Sequence, residues 1–251
     1  MSYIFNEFLY RPLLNLLFLV YNNIYADLGV AIIILTIIIR FVLLPVFYKS
    51  AKDQTLIQKI TPKIKELQKT HKDDKERQVK EIMAVYKEHK VNPFSGFILM
   101  IIQLPILIAL YSVFWRGFSP EILSKLYSFV SAPDPVLHSF LGLFNLYEKN
   151  IVLVLIAAVA QYIQSKLLMS VVKNNKQSDK NKGEMSVAEK VSKQMVLIGP
   201  FLTFAILYSL PAAVSLYWLT TSVFSVIQQI VINKKINKQD GTDTGDIKTA
   251  N

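Results

Sequence analysis

The apolar residues of this chain come in long blocks that charged stretches separate. Windows of about 20 residues with few or no charges have the length of a helix that crosses a bilayer. One such block, residues 195–232, is nearly twice that length and contains Ser209-Leu210-Pro211 near its middle. Because proline disfavours helix before it, this block is predicted to be two helices. The pattern therefore predicts five spans, at residues 28–48, 94–115, 151–169, 195–210 and 211–232.

Residues 49–93 show a different, charged pattern with apolar positions at helical spacing. Two apolar series lie on either side of a polar break at residues 71–74. Two amphipathic helices joined by a short polar turn predict a helical hairpin. Asp73 or Asp74 is expected to cap the second helix. The two series are Leu56, Ile60, Ile64 and Leu67, then Val79, Ile82, Met83 and Tyr86.

The remaining segments are less regular. Residues 1–27 hold the apolar run LLNLLFLV, which predicts an amphipathic helix at the outer membrane interface; a cleaved signal peptide is the alternative. Residues 116–150 are semi-apolar and predict an outer loop or hairpin. Residues 170–194 and 233–251 are polar and poor in aromatic side chains, which predicts a flexible loop and a disordered tail.

Lysine and arginine are distributed unevenly between the connections. Residues 49–90 contain 12 of them and residues 173–193 contain 6, whereas residues 116–150 contain only 3. Because basic residues mark the cytoplasmic side of short loops, the N-terminus is expected outside and the C-terminus in the cytoplasm. The chain is thus predicted to be a multi-pass protein of the cell (inner or plasma) membrane. Topology accounts for most of the net charge of +10, and the remainder can meet ribosomal RNA or anionic lipid without specific nucleic-acid recognition.

Several kinds of chemistry have no counterpart in the sequence. Cysteine is absent, the three histidines lie far apart, and none of the 8 glycines falls in a phosphate-loop pattern. Asp134, His138 and Ser139 share the outer loop, but proximity in sequence does not make a catalytic triad. We therefore expect no metal, no cofactor and no enzymatic activity.

One arginine interrupts the first span, in the stretch LTIIIRFVLLPV. Arg40 near a helix centre costs about 2.5–3.5 kcal/mol, whereas each Leu, Ile, Val or Phe returns about 0.3–0.6 kcal/mol. Residues 28–48 contain 15 such apolar residues, which together return roughly 6 kcal/mol. The helix is therefore expected to insert despite its charge.

The surroundings of Arg40 decide what the charge does. The nearest cytoplasmic lysine, Lys49, lies about 13 Å further along a helix, so reaching the headgroups would strain the side chain. No predicted span contains Asp or Glu, so no buried carboxylate is available. A hydrated groove lined by neutral polar groups is the remaining interpretation, although any single Ser or Thr is better explained by helix contacts, and the groove is inferred from the set taken together. The polar candidates are Thr36, Gln103, Gln161 and Gln164, and a stripe of Ser215, Trp218, Ser222, Ser225 and Gln229 on one helix face.

Three segments resemble the YidC/Oxa/Alb family of membrane-protein insertases. They are LTIIIRFVLLPV, EIMAVYKEHKVNPFSGFILMIIQLPILIALYSVF and PAAVSLYWLTTSVFSVIQQ. The resemblance extends from about Tyr10 to Lys235 and is to the short bacterial form, without a large extracytoplasmic domain. It implies an all-α integral membrane protein with five transmembrane helices around a hydrophilic groove. A cytoplasmic helical hairpin and an N-terminal interfacial helix complete the expected fold.

The resemblance also implies a function for the groove. Arg40 would engage hydrophilic parts of nascent membrane proteins, whose transmembrane helices then pass into lipid. The expected partners are nascent membrane proteins and the lipid bilayer, with the ribosome and a Sec-type translocon as further candidates, and the protein is expected to work as a monomer. A small-solute or anion channel that uses Arg40 is the alternative, for which the large hairpin has no purpose. The predicted groove residues are Arg40, Thr36, Gln103, Gln164, Ser215, Trp218 and Ser222.

Overall fold

Nearly all of the regular structure is helical in this computed structural model, which describes residues 3–116, 118–132, 137–174 and 198–246. Most of the predicted loop 170–194 and the start of the predicted span 195–210 lie outside the described residues. The chain begins with a helical turn, Tyr3–Phe5, and a π-helical stretch, Asn6–Tyr10. Helix α1, Arg11–Asn23, continues from them, with proline in its first turn where no amide donor is needed.

Helix α1 forms part of the main core. Its residues Leu14, Leu17 and Phe18 are almost completely buried. It packs against α2, Leu28–Val42, and against α5, Ser95–Arg116. The predicted amphipathic character of this segment is therefore used for packing against the bundle as well as for any contact with the membrane interface.

Helix α2 ends earlier than the predicted span 28–48. Its last residue is Val42, and Leu43 has φ −91° and ψ 3°, outside the helical range. Helix α3, Leu44–Thr70, then leaves at an angle of 72° to α2. Pro45 explains the break, because proline lacks the amide donor and its ring clashes with the carbonyl four residues earlier. The first span and the first hairpin helix are thus separate helices joined at one residue.

Helices α3 and α4, Lys75–Glu88, form the predicted helical hairpin. A small separate core of Ile60, Ile64, Val85 and Val91 joins them. The Asp74 carboxylate accepts a hydrogen bond of 2.9 Å from the amide of Arg77. This confirms the Asp74 alternative of the predicted cap.

The outer connection after α5 is fastened to the bundle. It contains the short helix α6, Pro120–Leu123, and two antiparallel strands, β1 (Ser139–Phe140) and β2 (Phe144–Asn145). The Asn15 side chain in α1 accepts a hydrogen bond of 2.6 Å from the amide of Tyr127. Asp27 joins the connection to α2, since its two carboxylate oxygens accept from the amides of Val30, at 2.9 Å, and Leu141, at 2.7 Å.

The C-terminal half consists of α7, Ile151–Asn174, α8, Ile198–Leu207, and α9, Ala212–Asp246. Pro211 stands at the predicted interruption, between α8 and α9. Helix α9 packs along α7 and α2. It continues to Asp246, through most of the segment 233–251 that was expected to be disordered. Residues 234–239 are three lysines with one isoleucine, one asparagine and one glutamine, and the lysines and glutamine favour a helical backbone.

The protein is an all-α integral membrane protein, as predicted. Helices α5, α7 and α9 are long and apolar enough to cross a bilayer, and the bent pair α2–α3 passes the same test when taken together. Helix α8 is apolar but has only ten described residues, so the count of five spans stays a prediction. Large apolar side chains also cover the outward faces of these helices, as expected against lipid. Examples are Phe97 and Ile101 in α5, Val159 in α7, Phe201 in α8 and Ile227 in α9.

Candidate functional site: a cleft around Arg40

Arg40 lies in the last turn of α2 and points into the helical bundle. Only 6% of its surface is exposed, and Thr36, one turn earlier, is 1% exposed. The Thr36 hydroxyl donates a 2.6 Å hydrogen bond to the carbonyl of Ile32, so this hydroxyl is already engaged. Within the described residues, the ion pairs and hydrogen bonds do not include the Arg40 guanidinium. Arg40 is therefore a buried cation without a carboxylate partner in that part of the chain.

Aromatic rings take the place of a carboxylate. The Arg40 guanidinium carbon lies 4.2 Å from the centroid of the Phe47 ring and 5.9 Å from that of Phe224. Phe47 belongs to the start of α3 and Phe224 to α9. A guanidinium over an aromatic face gains about 2 kcal/mol when both are desolvated. The rings offset part of the cost of burial but leave the N–H donors of Arg40 available to a ligand.

Arg40 faces a narrow cleft. Its empty space of about 180 Å³ includes the open region at its mouth, and the described residues leave no room for a water molecule inside it. Polar and apolar groups alternate along its walls, which come from α2, α3, α5 and α9. The Gln103 amide in α5 donates a hydrogen bond to the Tyr217 hydroxyl in α9. The cleft thus brings together the predicted residues Arg40, Thr36 and Gln103. Among the described residues, the lining is Thr36, Ile39, Arg40, Phe47, Gln103, Ile106, Tyr217 and Thr221.

The other four predicted residues lie outside this lining. Ser222 faces α7, where its hydroxyl donates a 3.2 Å hydrogen bond to the side-chain oxygen of Gln161. Gln164 is half-buried on the same helix. Ser215 is completely buried, and Trp218 packs against the main core. The Ser215 hydroxyl and the Trp218 indole N–H are buried without a hydrogen-bond partner in the described part of the chain.

A rotation by one residue explains this difference on α9. Successive residues of an α-helix are 100° apart, so Trp218 and Ser222 lie on a face adjacent to that of Tyr217, Thr221 and Phe224. Ser222 of the polar stripe thus contacts α7, and the neighbouring face of α9 meets Arg40. An aromatic at Tyr217 and another at Phe224, seven residues apart, was the available signal for the second face. Phe47 could not be identified in this way, because the bend at Leu43 decides where it lies.

Among the described residues outside the bundle, Glu81 and Tyr147 have altered pKa values. A hydrogen bond from Arg77, with a further contribution from His71, lowers the pKa of Glu81 in the hairpin. Glu81 accepts from Arg77 at 3.0 Å, and the His71 ring lies 2.9 Å from its other oxygen. In the outer connection, burial raises the pKa of Tyr147. Both groups lie away from the cleft, so neither is expected to act at Arg40.

Comparison with known proteins places this architecture in a family. The model of the 60Kd inner membrane protein family matches residues 19–239, which include every residue of the cleft. The chain belongs to this family. The resemblance to the YidC/Oxa/Alb proteins that the sequence segments indicated is thereby confirmed.

Individual relatives agree with this assignment over most of the chain. A membrane protein insertase YidC of Fusobacterium nucleatum is 32% identical over 235 residues, which are 94% of this chain and 99% of the relative. Membrane protein insertase MisCB of Bacillus subtilis is 30% identical over 248 residues, 95% of this chain and 83% of the relative. A YidC of Pelobacter propionicus is 31% identical over 231 residues but is much longer, since the match covers only 39% of it.

Proposed function

We propose that this chain is a membrane-protein insertase that receives hydrophilic segments of nascent membrane proteins in the Arg40 cleft and releases their transmembrane helices into lipid. The observation that carries the proposal is the buried guanidinium of Arg40, which among the described residues lies over aromatic rings and has no carboxylate partner. Membership of a family whose relatives are named insertases supports the same function. A membrane location and nascent membrane proteins as partners follow from that membership.

The chemistry of the cleft suits a polar polypeptide segment. A peptide carbonyl or a carboxylate that accepts from Arg40 would form a charge-assisted hydrogen bond, which contributes about 1.5–3 kcal/mol. Gln103 and Tyr217 can exchange their mutual hydrogen bond for bonds to a peptide group, because each can both donate and accept. These groups would partly replace the water that a hydrophilic segment loses on entering the membrane.

The outward face of α5 offers a route from the cleft into lipid. Gln103 and Ile106 line the cleft, whereas Phe97, Ile101 and Leu104 on the same helix are exposed. A client helix that moves along this face exchanges water for hydrocarbon and gains about 0.8 kcal/mol per buried CH₂. Partitioning of this size supplies the driving force for release without a nucleotide.

We assign the membrane orientation by the basic residues. With α2, α5, α7, α8 and α9 as the five spans, an outer N-terminus places the hairpin and the C-terminus in the cytoplasm. The 12 Lys and Arg residues of the segment 49–90 then lie inside, as the positive-inside rule requires. The outer connection between α5 and α7, which is hydrogen-bonded to α1 and α2, would close the protein on the outer side of the membrane. The basic hairpin is the surface that we expect a ribosome or a Sec-type translocon to approach, and the cleft, built within one chain, is expected to work in a monomer.

Site-specific photocrosslinking tests this proposal. A photoreactive residue replaces Gln103, which lines the cleft, or Ile101, which faces outward from the same helix. A ribosome-bound client that exposes a hydrophilic segment ahead of its first apolar helix is then synthesised in the presence of membranes. The proposal predicts that the hydrophilic segment crosslinks to position 103 and the apolar helix to position 101. Hydrophilic segments that crosslink only to position 101, or to neither, would refute it.

A further inference from the structure

Of the two rings over Arg40, the nearer one is carried by α3, beyond the joint with α2. Phe47 lies in the first turn of α3, is 5% exposed, and has its ring centroid 4.2 Å from the Arg40 guanidinium carbon. The other cleft walls belong to α2, α5 and α9. A client segment that is to reach Arg40 must therefore meet or displace a side chain carried by α3.

The joint between α2 and α3 is built to bend. Leu43 alone separates the two helices and has non-helical backbone angles, and Pro45 prevents a continuous helix across it. Phe41 and Val42, next to the joint, are 61% and 71% exposed. The ring of Phe41 meets that of Phe224 edge-on, with 5.6 Å between the centroids. This contact joins α2 to α9 and does not involve α3, so it does not hold the angle of 72°. Single residues that absorb a change of φ and ψ between packed helices are common hinges.

Besides its packing against α5, α7 and α9, α3 is held two turns beyond Phe47 by a chain of neutral hydrogen bonds. The Gln229 amide in α9 donates to the Thr55 hydroxyl in α3 at 2.8 Å and to the Asn233 side-chain oxygen at 2.9 Å. Asn233 in turn donates to the carbonyl of Leu167 in α7 at 3.1 Å. Thr55 is completely buried and Gln229 is 5% exposed, so this contact, which we call the Thr55–Gln229 latch, is shielded from water.

We propose that the start of α3, residues 44–55, is a lid over the cleft, with Phe47 as the resting occupant of Arg40, Leu43 as the hinge and the Thr55–Gln229 latch as the closure. This proposal rests on the proposed function, since it assumes that the cleft receives hydrophilic segments. A carboxylate or peptide oxygen binds a buried guanidinium more strongly than an aromatic face does. A client can therefore displace Phe47, and its differential affinity for the open state shifts the lid.

Reversible crosslinking tests whether the lid must open. Because the chain has no cysteine, the pair Thr55→Cys and Gln229→Cys can be joined in purified protein in vesicles by a one-carbon bis-methanethiosulfonate crosslinker. This reagent is small, enters the membrane, reacts when the shielded contact transiently opens, and forms disulfides that can be reduced. We expect crosslinking to reduce client insertion about tenfold or more, and reduction of the crosslinker to restore it. Recovery in the same sample shows that the loss does not come from misfolding.

The matched control crosslinks the two helices of the hairpin, α3 and α4, to each other. Lys63 in α3 and Glu88 in α4 form an exposed ion pair at 3.1 Å. The same crosslinker between Lys63→Cys and Glu88→Cys restrains the two hairpin helices but leaves the lid free to leave the bundle. Insertion should be the same before and after reduction in this control. Equal insertion by crosslinked and reduced Thr55→Cys/Gln229→Cys protein would overturn the proposal.

A second measurement does not depend on insertion. Thr36→Cys places a thiol in the cleft, and a membrane-impermeant maleimide reports how often the cleft opens to water. Adding Phe47→Leu should raise the labelling rate about thirtyfold, as expected for loss of one desolvated cation–π contact, whereas Phe47→Tyr should leave it low. Equal labelling rates of the Thr36→Cys protein with and without Phe47→Leu would overturn the proposal of a lid. Faster labelling of Phe47→Leu, together with failure of clients to crosslink at Gln103 in the unlocked protein, would instead support the lid and refute the proposed function.

Discussion

Replacement of Asp27 tests how the outer side of the protein is closed. Its carboxylate is 5% exposed and accepts two hydrogen bonds, from Val30 at the start of α2 and from Leu141 between the two strands. Loss of a helix cap costs about 1 kcal/mol, and an unpaired amide that had bonded a charged group costs about 2 kcal/mol. We therefore expect Asp27→Ala to reduce the free energy of unfolding by about 3 kcal/mol.

For a chain of this size, that loss corresponds to a decrease in melting temperature of about 6–12 °C. Tryptophan fluorescence during heating of the purified protein in detergent measures it, because Trp218 packs against the core. Asp27→Asn is the informative control. Asparagine caps helices as well as aspartate does, but its amide group cannot accept from Leu141, so an intermediate decrease is expected. A melting temperature within about 1 °C of the unmodified protein for Asp27→Ala would refute the assignment of both bonds.

Three further substitutions probe other contacts. In Gly29→Ala, the new methyl carbon would lie 2.6 Å from the Cβ and Cγ atoms of Phe140. Overpacking of this kind lowers the free energy of unfolding by about 1–3 kcal/mol, so the melting temperature should fall. Asn15→Leu removes the buried acceptor of an outer-loop amide and should cost about 2 kcal/mol in the same assay; no change would contradict the bond. Because Arg77 lowers the pKa of Glu81, the stabilisation from Glu81 is complete at neutral pH and is lost as the pH falls through that lowered pKa. Spin-label distances across the hairpin should therefore broaden at acid pH, and Glu81→Gln should make them independent of pH in this range.

The sequence was sufficient for the class of fold and for the main charged residue of the site. Long apolar blocks, the polar break between the hairpin helices and the proline near residue 210 each have a local physical cause, so they can be identified without tertiary information. Arg40 stood out for the same reason, since a charge in an aliphatic helix needs an explanation. Thr36 could be assigned to the same site because residues one turn apart share a helix face.

The side chains that contact Arg40 could be identified only from the structure. The sequence shows two neighbouring faces of α9, which are 100° apart. It does not determine which of the two faces turns toward α2. The more polar face, with Ser222, was the reasonable choice for a groove, but Ser222 pairs with Gln161 and the face of Tyr217 meets Arg40. Phe47 depends on the 72° bend between α2 and α3, an angle that a proline permits but does not determine.

The central claim is that the charge of Arg40 attracts the hydrophilic segment of a client. The most direct measurement compares insertion by the unmodified protein, Arg40→Lys and Arg40→Ala in vesicles, with one client that carries an acidic hydrophilic segment and one that lacks it. Loss of a charge-assisted hydrogen bond of about 1.5–3 kcal/mol predicts that Arg40→Ala inserts the first client about 10–100 times less efficiently, whereas Arg40→Lys retains most of the activity and the second client changes little. Equal insertion of the acidic client by folded Arg40→Ala protein would contradict the account.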